Sequence, residues 1–142
     1  VPRKTSNIDQ FEREINDNVR LTVARFVQFH KAVSLDAYRS IIEGSPVCTG
    51  RYRASHTIAQ DVPDDTVAPP SDSKKCDGSI RAPSLAQAQL NLIGLRPFSV
   101  VWIGNALPYA SALEYGHSDQ APNGVYEVTL ASIESKYDNV EL

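Results

Sequence analysis

The chain has 142 residues, 42% of them hydrophobic and 22% charged, a balance that suits one folded domain around one core and excludes a fibrous or wholly disordered architecture. A formal net charge of -3 argues against a protein whose main task is wrapping nucleic acid, which is done by Lys and Arg neutralising phosphates. No apolar run reaches the length of a bilayer span, and Val1-Pro2-Arg3-Lys4-Thr5-Ser6 lacks the apolar core of a secretory signal, so the expectation is a cytoplasmic protein with no membrane partner.

From 6 to about 44, Ile8, Phe11, Ile15, Val19, Val23, Phe26, Val33, Ala37 and Ile41 fall three, four or seven positions apart and predict one long helix. Ser6, three residues before Asp9, suits an amino-terminal cap, and Gly44 followed by Ser45-Pro46 supplies the stop. At ~1.5 Å per residue the helix is roughly 50 Å long, wider than a compact domain of this size, so part of it must project or bend. The opposite face carries Glu12, Arg13, Asp17, Arg20, Arg25 and Lys31, mixed in sign as a solvated face is.

The alternating, β-branched stretch around His56-Thr57-Ile58 predicts a strand over 52–59. Residues 61–83, punctuated by Pro63, Pro69, Pro70, Gly78 and Pro83, read as a long loop insert: an arm that orders against a neighbour, or a mobile excursion. Ser84 can cap a short helix through Leu85, Ala88, Leu92 and Leu95, which Pro97 ends before a strand over 98–103, expected to be the best buried of the sheet. A further short helix should follow Pro108 and end near Gly116. Residues 125–137 carry both a helical stripe and a strand-like alternation; the helix is the expectation, because Pro122-Asn123-Gly124 reads as an entry turn.

Three groups of residues carry possible chemistry. Thr49-Gly50-Arg51-Tyr52-Arg53-Ala54-Ser55 could offer amides and guanidinium groups to a phosphate, but it lacks the spacing and lysine of a P-loop and suits a turn glycine before a strand with two same-face arginines. Cys48 and Cys76 are too few for a disulfide framework, and a reducing compartment would keep them as thiols. With His30, His56 and His117 they show none of the spacings of a zinc site or a nucleophile pair, so no metal, cofactor or catalytic residue is expected. Glu114-Tyr115-Gly116-His117 sets a carboxylate, a phenol and an imidazole close together, suggestive of acid-base work or of a structural corner.

Two blocks, Ser45-Pro46-Val47-Cys48-Thr49-Gly50-Arg51-Tyr52-Arg53-Ala54-Ser55 and the stretch from Trp102 through Asn105, Leu107-Pro108, Tyr109-Ala110 and Leu113-Glu114-Tyr115-Gly116 to Ala121-Pro122-Asn123-Gly124, decide between these readings. Together with the long helix before them, the chain resembles the neck and tail-completion proteins of tailed phages, those similar to the minor tail protein Z of lambdoid phages. The resemblance covers roughly half of the chain and leaves 61–83 unmatched. Cys48 stands where that family commonly has an acidic residue, His56 where an aromatic, often Trp, is usual, and Asp119 where Lys is more frequent.

The implied fold is α+β: a long N-terminal helix packed on a small antiparallel β-sheet with short peripheral helices, in a single domain over 1–142. The implied function is that of a structural virion protein, not an enzyme, made in the bacterial host cytoplasm. Copies would form a homo-oligomeric ring, in six-fold register, joining the connector or head-closure protein to the tail terminator and tail tube while DNA passes nearby without specific binding. The interface residues so implied are Arg51, Arg53, Tyr109, Glu114, Tyr115, His117, Ser118, Asp119 and Gln120. A tail terminator or minor tail protein is the near alternative. A nucleic-acid-binding module using Arg51, Arg53, Lys74 and Lys75 is a more distant one, as is a hydrolase using Cys48 or Cys76 with a histidine.

Overall fold

A computed structural model describes residues 6–72 and 75–142, so Lys74 of the nucleic-acid reading and the amino-terminal 1–5 lie outside the described residues. The fold is α+β. Helix α1 spans Asn7–Gly44 and opens with the capping box that Ser6 and Asp9 foreshadow: the Asp9 amide donates to Ser6 Oγ at 3.2 Å and the Ser6 amide to Asp9 Oδ2 at 3.1 Å. Its end is closed by Ser45, whose amide donates to the Ile42 carbonyl at 3.3 Å.

Burial along α1 is lopsided. Ser34, Tyr38, Ile41 and Ile42 are buried, whereas Ile8, Phe11, Ile15, Val19 and Leu21 are all exposed. Phe26 meets Phe98 at 5.5 Å between ring centroids, and Phe29 stands edge-on to Tyr137 at 5.6 Å, which marks where the rest of the fold begins to cover the helix. The turns before Phe26 project as the length argument requires.

Residues 52–55, expected to begin a strand, instead lie in helical turn α2, Arg51–Ala54 and its carboxy-terminal cap Ser55. Gly50, at φ +93°, reverses the chain, and the Ala54 amide then closes on the Gly50 carbonyl at 2.9 Å. Arg-Tyr-Arg-Ala has no β-branched residue to resist that turn, and extended structure starts only with strand β1, His56–Gln60. Arg51 and Arg53 therefore diverge by ~200° around a helical turn and do not share a strand face.

Strand β2, Val101–Asn105, pairs antiparallel with β1, with Ile58 opposite Ile103 and Gln60 opposite Val101. It begins three residues later than expected, because Phe98 takes a left-handed turn at φ +63° and stands 84% exposed. Nor is it the best buried strand: Ile58 of β1 is 2% exposed, while Trp102 of β2 is nearly half exposed. Among the described residues the sheet has two strands, which leaves the outer edge of β2 unpaired by a third.

Helix α3, Leu85–Asn91, is capped by Ser84 as expected but stops early, at a turn into left-handed Gly94 at φ +72°, and the Gln60 amide group donates to the Asn91 and Ile93 carbonyls freed there at 2.9 and 2.8 Å. Leu92 and Leu95 still reach the core from the turn that follows. Short helix α4, Ala110–Glu114, and helix α5, Tyr126–Tyr137, complete the chain, so residues 126–137 take the helical alternative. The core is two clusters flanking the second half of α1: Tyr38, Ile42, Ile58, Ala88 and Leu92 on one side, and Ile41, Tyr52, Leu107, Ala121 and Val125 on the other.

Candidate functional site

The two sequence blocks meet. Pro46 to Tyr52 form one wall of a cleft of about 320 Å³, and Tyr109, Leu113, His117, Ser118 and Gln120 form the other. The walls are joined by Gln120, whose Oε1 accepts from the Val47 amide at 2.9 Å while its Nε2 donates to the Val47 carbonyl at 3.2 Å. A side-chain amide thus imitates one rung of a β-ladder between loops 73 residues apart.

The corner at the end of α4 is built by backbone need. The Gly116 amide donates to the Leu113 carbonyl and the His117 amide to the Ala112 carbonyl, both at 3.2 Å, the paired bonds of a Schellman ending that requires the left-handed φ of +88° found at Gly116. Glu114 then turns toward the start of α5. Its Oε2 accepts from the Val125 and Tyr126 amides at 2.9 and 3.0 Å, and its Oε1 from the Glu127 amide at 2.8 Å. Burial raises the carboxyl pKa, but the three amide donors outweigh it and hold the group below the ordinary carboxylate range. A Cβ at Gly124 would fall 2.4 Å from the Glu114 carbonyl oxygen, so that approach depends on glycine.

Beneath the cleft lies a polar network that sequence reasoning missed. His56, 2% exposed, has Ser45 Oγ at 2.6 Å from Nε2 and Tyr126 Oη at 2.7 Å from Nδ1, with Tyr52 edge-on at 4.9 Å. The Ile41 carbonyl, 2.6 Å from Ser45 Oγ, can only accept, so Ser45 donates to it and receives Nε2–H; Nδ1 then accepts from Tyr126 O–H. Burial pushes the imidazole pKa down to about 4, and the ring is neutral at pH 7. A nucleophilic serine gives its proton to the histidine, and here the donation runs the other way. The trio ties α1, β1 and α5 together. No short motif could have announced it, because its members lie 11 and 70 residues apart.

Of the nine residues expected at an interface, Arg51, Tyr109, His117, Ser118 and Gln120 line the cleft, while Arg53, Glu114, Tyr115 and Asp119 do not. Tyr115, His117 and Asp119 are exposed. Arg51, Glu114 and Gln120 are engaged within the chain, Arg51 donating from Nε to the Ala68 carbonyl at 2.9 Å. The buried Nε of Arg53 and the buried hydroxyl of Tyr52 have no hydrogen-bond partner among the described residues. His30 belongs to α1, where its ring lies 6.2 Å from that of Phe26.

The expectation of two free thiols is overturned: Cys48 and Cys76 are joined by a disulfide, so neither is a thiol nucleophile in this structure. The physical reason is the path of the insert, which runs back along the rest of its own chain. Thr57 Oγ1 donates to the Asp64 carbonyl at 2.6 Å, the Ala68 amide to Ser55 Oγ at 3.0 Å, and the Gly78 amide to the Cys48 carbonyl at 2.7 Å. These bonds bring Cys76 to Cys48.

A second, more apolar groove of about 500 Å³ runs between α1, β2 and α5, lined by Ala37, Ile41, Val101, Ile103, Leu130 and Ile133 among others. No helix among the described residues is long and apolar enough to cross a membrane. No family model matches the chain, and neither a curated protein nor a solved structure gives a significant match.

Proposed function

We propose that this chain is a structural virion protein of a tailed bacteriophage, a neck or tail-completion component whose copies form a ring between head connector and tail. The observation that carries the proposal is the uncovered apolar stripe of α1, where Ile8 is 69%, Phe11 62% and Val19 55% exposed on turns that contribute nothing to either core cluster. A continuous apolar stripe on a projecting helix calls for another protein surface. The groove between α1, β2 and α5 is a different surface on the same chain, and contacts between unlike surfaces close into rings when the rotation permits.

The mechanism is assembly, not catalysis. The resemblance of the two sequence blocks supplies the class of assembly, and their meeting in one cleft is consistent with their acting as a unit. His56 fills a slot between the rings of Tyr52 and Tyr126, as the aromatic of the resembled family would. The net charge of -3 and the inward engagement of Arg51 favour this reading over nucleic-acid binding, with DNA passing through the ring unread. Exposed Asp119 would then face a partner of positive charge.

Particles assembled without this protein, seen in negative stain, test the reading. Filled heads beside separate finished tails are expected. Virions joined as normal would overturn it.

A further inference from the structure

We infer that Cys48–Cys76 is a reversible thiol–disulfide exchange site, reacting with small thiols and disulfides of the glutathione type, which latches residues 76–80 of the insert onto the wall of the cleft. The inference goes beyond the assembly reading and does not depend on it.

Three observations carry it. Both cysteines are exposed, so an attacking thiolate can reach either sulfur, unlike a bridge sealed in a core. The bond fastens a strap laid backbone to backbone on the cleft wall: the Gly78 amide donates to the Cys48 carbonyl at 2.7 Å, the Ile80 amide to the Thr49 carbonyl at 2.9 Å, and a Cβ on Gly50 would fall 2.4 Å from the Ile80 oxygen. Finally, neither core cluster contains a residue of 76–80, so the strap can lift while the core stays closed. Cys48 itself lines the cleft with Arg51 and His117, which makes the opened site a different surface from the latched one.

The chemistry balances without metal or flavin. To close the latch, the Cys48 and Cys76 thiols give up two electrons and two protons to one glutathione disulfide, which leaves as two molecules of glutathione. Opening is the reverse, through a mixed disulfide on one of the two sulfurs.

The test is hydrogen–deuterium exchange and alkylation mass on the full chain, equilibrated with glutathione disulfide or with reduced glutathione. With the disulfide, no sulfur should be alkylated and the amides of 78 and 80 should be protected. With reduced glutathione, two sulfurs should be alkylated and exchange at 76–80 should rise roughly tenfold or more, while 56–60 stay protected. Cys76→Ser should show the fast exchange of the reduced protein at 76–80 in both buffers, with Cys48 alone alkylated in reduced glutathione and Cys48 carrying a mixed disulfide, with release of one glutathione, in glutathione disulfide. Unchanged exchange at 76–80 on reduction would overturn the inference, as would loss of protection across 56–60, which marks a structural staple, or thiols that glutathione disulfide leaves unoxidised.

Discussion

The imidazole of His56 sits where protonation would strand a charge. Both ring nitrogens are already matched, Nε2–H to Ser45 and Nδ1 to Tyr126 O–H, and a second proton on the ring would place a full charge in a site closed to water. With a folded pKa of about 4 against an ordinary 6.5, the folded chain refuses a proton that the unfolded chain accepts. Its stabilising effect is complete above pH 6.5 and is lost as pH falls from there toward 4. Urea unfolding should therefore show roughly 2 kcal/mol less stability from this group at pH 5 than at pH 7, and His56→Gln should flatten that slope. An unchanged slope in the variant would refute the assignment. Glu114 acts in a lower window. Its depressed pKa means that its contribution is present above the ordinary carboxylate range and fades only as pH drops through the folded value.

Among the elements, α5 depends most visibly on a single side chain outside itself. The carboxylate of Glu114 accepts three amides at its first turn, and a neutral amide would turn an N–H toward one of those donors. Glu114→Gln should cost about 2 kcal/mol in unfolding free energy and loosen α5 before β1, measurable by denaturation and by amide exchange at 126–130. How far elements could be read from residues follows the range of the forces that form them. The stop at Ser45-Pro46 and the caps at Ser6 and Ser84 were legible because a cap is decided within four residues, and the apolar period of α1 persists for many turns. The strand expected from 52 failed over its first four residues because one left-handed glycine redirected the chain. The early end of α3 falls at the turn into left-handed Gly94, and the carbonyls freed there are taken up by Gln60, some thirty residues away. The site was half legible in the same sense. Both blocks were visible as motifs, but the Gln120–Val47 rung, the His56 network and the disulfide depend on where loops travel, which no local pattern encodes.

At the scale of the molecule, the division of α1 into a covered and an uncovered half separates folding from association. Ile15 and Val19 touch neither core cluster, so Ile15→Glu with Val19→Glu should leave the unfolding midpoint nearly unchanged while lowering the mass of any oligomer in sedimentation. A large fall in the midpoint, or an oligomer of undiminished mass, would contradict this. The same division makes the helix a spacer whose phase and reach can be set separately. Apolar residues of the stripe recur at an eleven-residue interval, Ile8 with Val19 and Ile15 with Phe26, close to three whole turns, so the stripe runs nearly parallel to the helix axis. Removing about eleven residues from the uncovered half should draw its tip in by ~16 Å yet leave the stripe facing the same way. Removing about five should shorten it less but swing the stripe ~140° aside. If a fixed distance governs the contact, the smaller deletion will be the better tolerated; if orientation governs it, the larger one will, and sedimentation of the two variants reads out which.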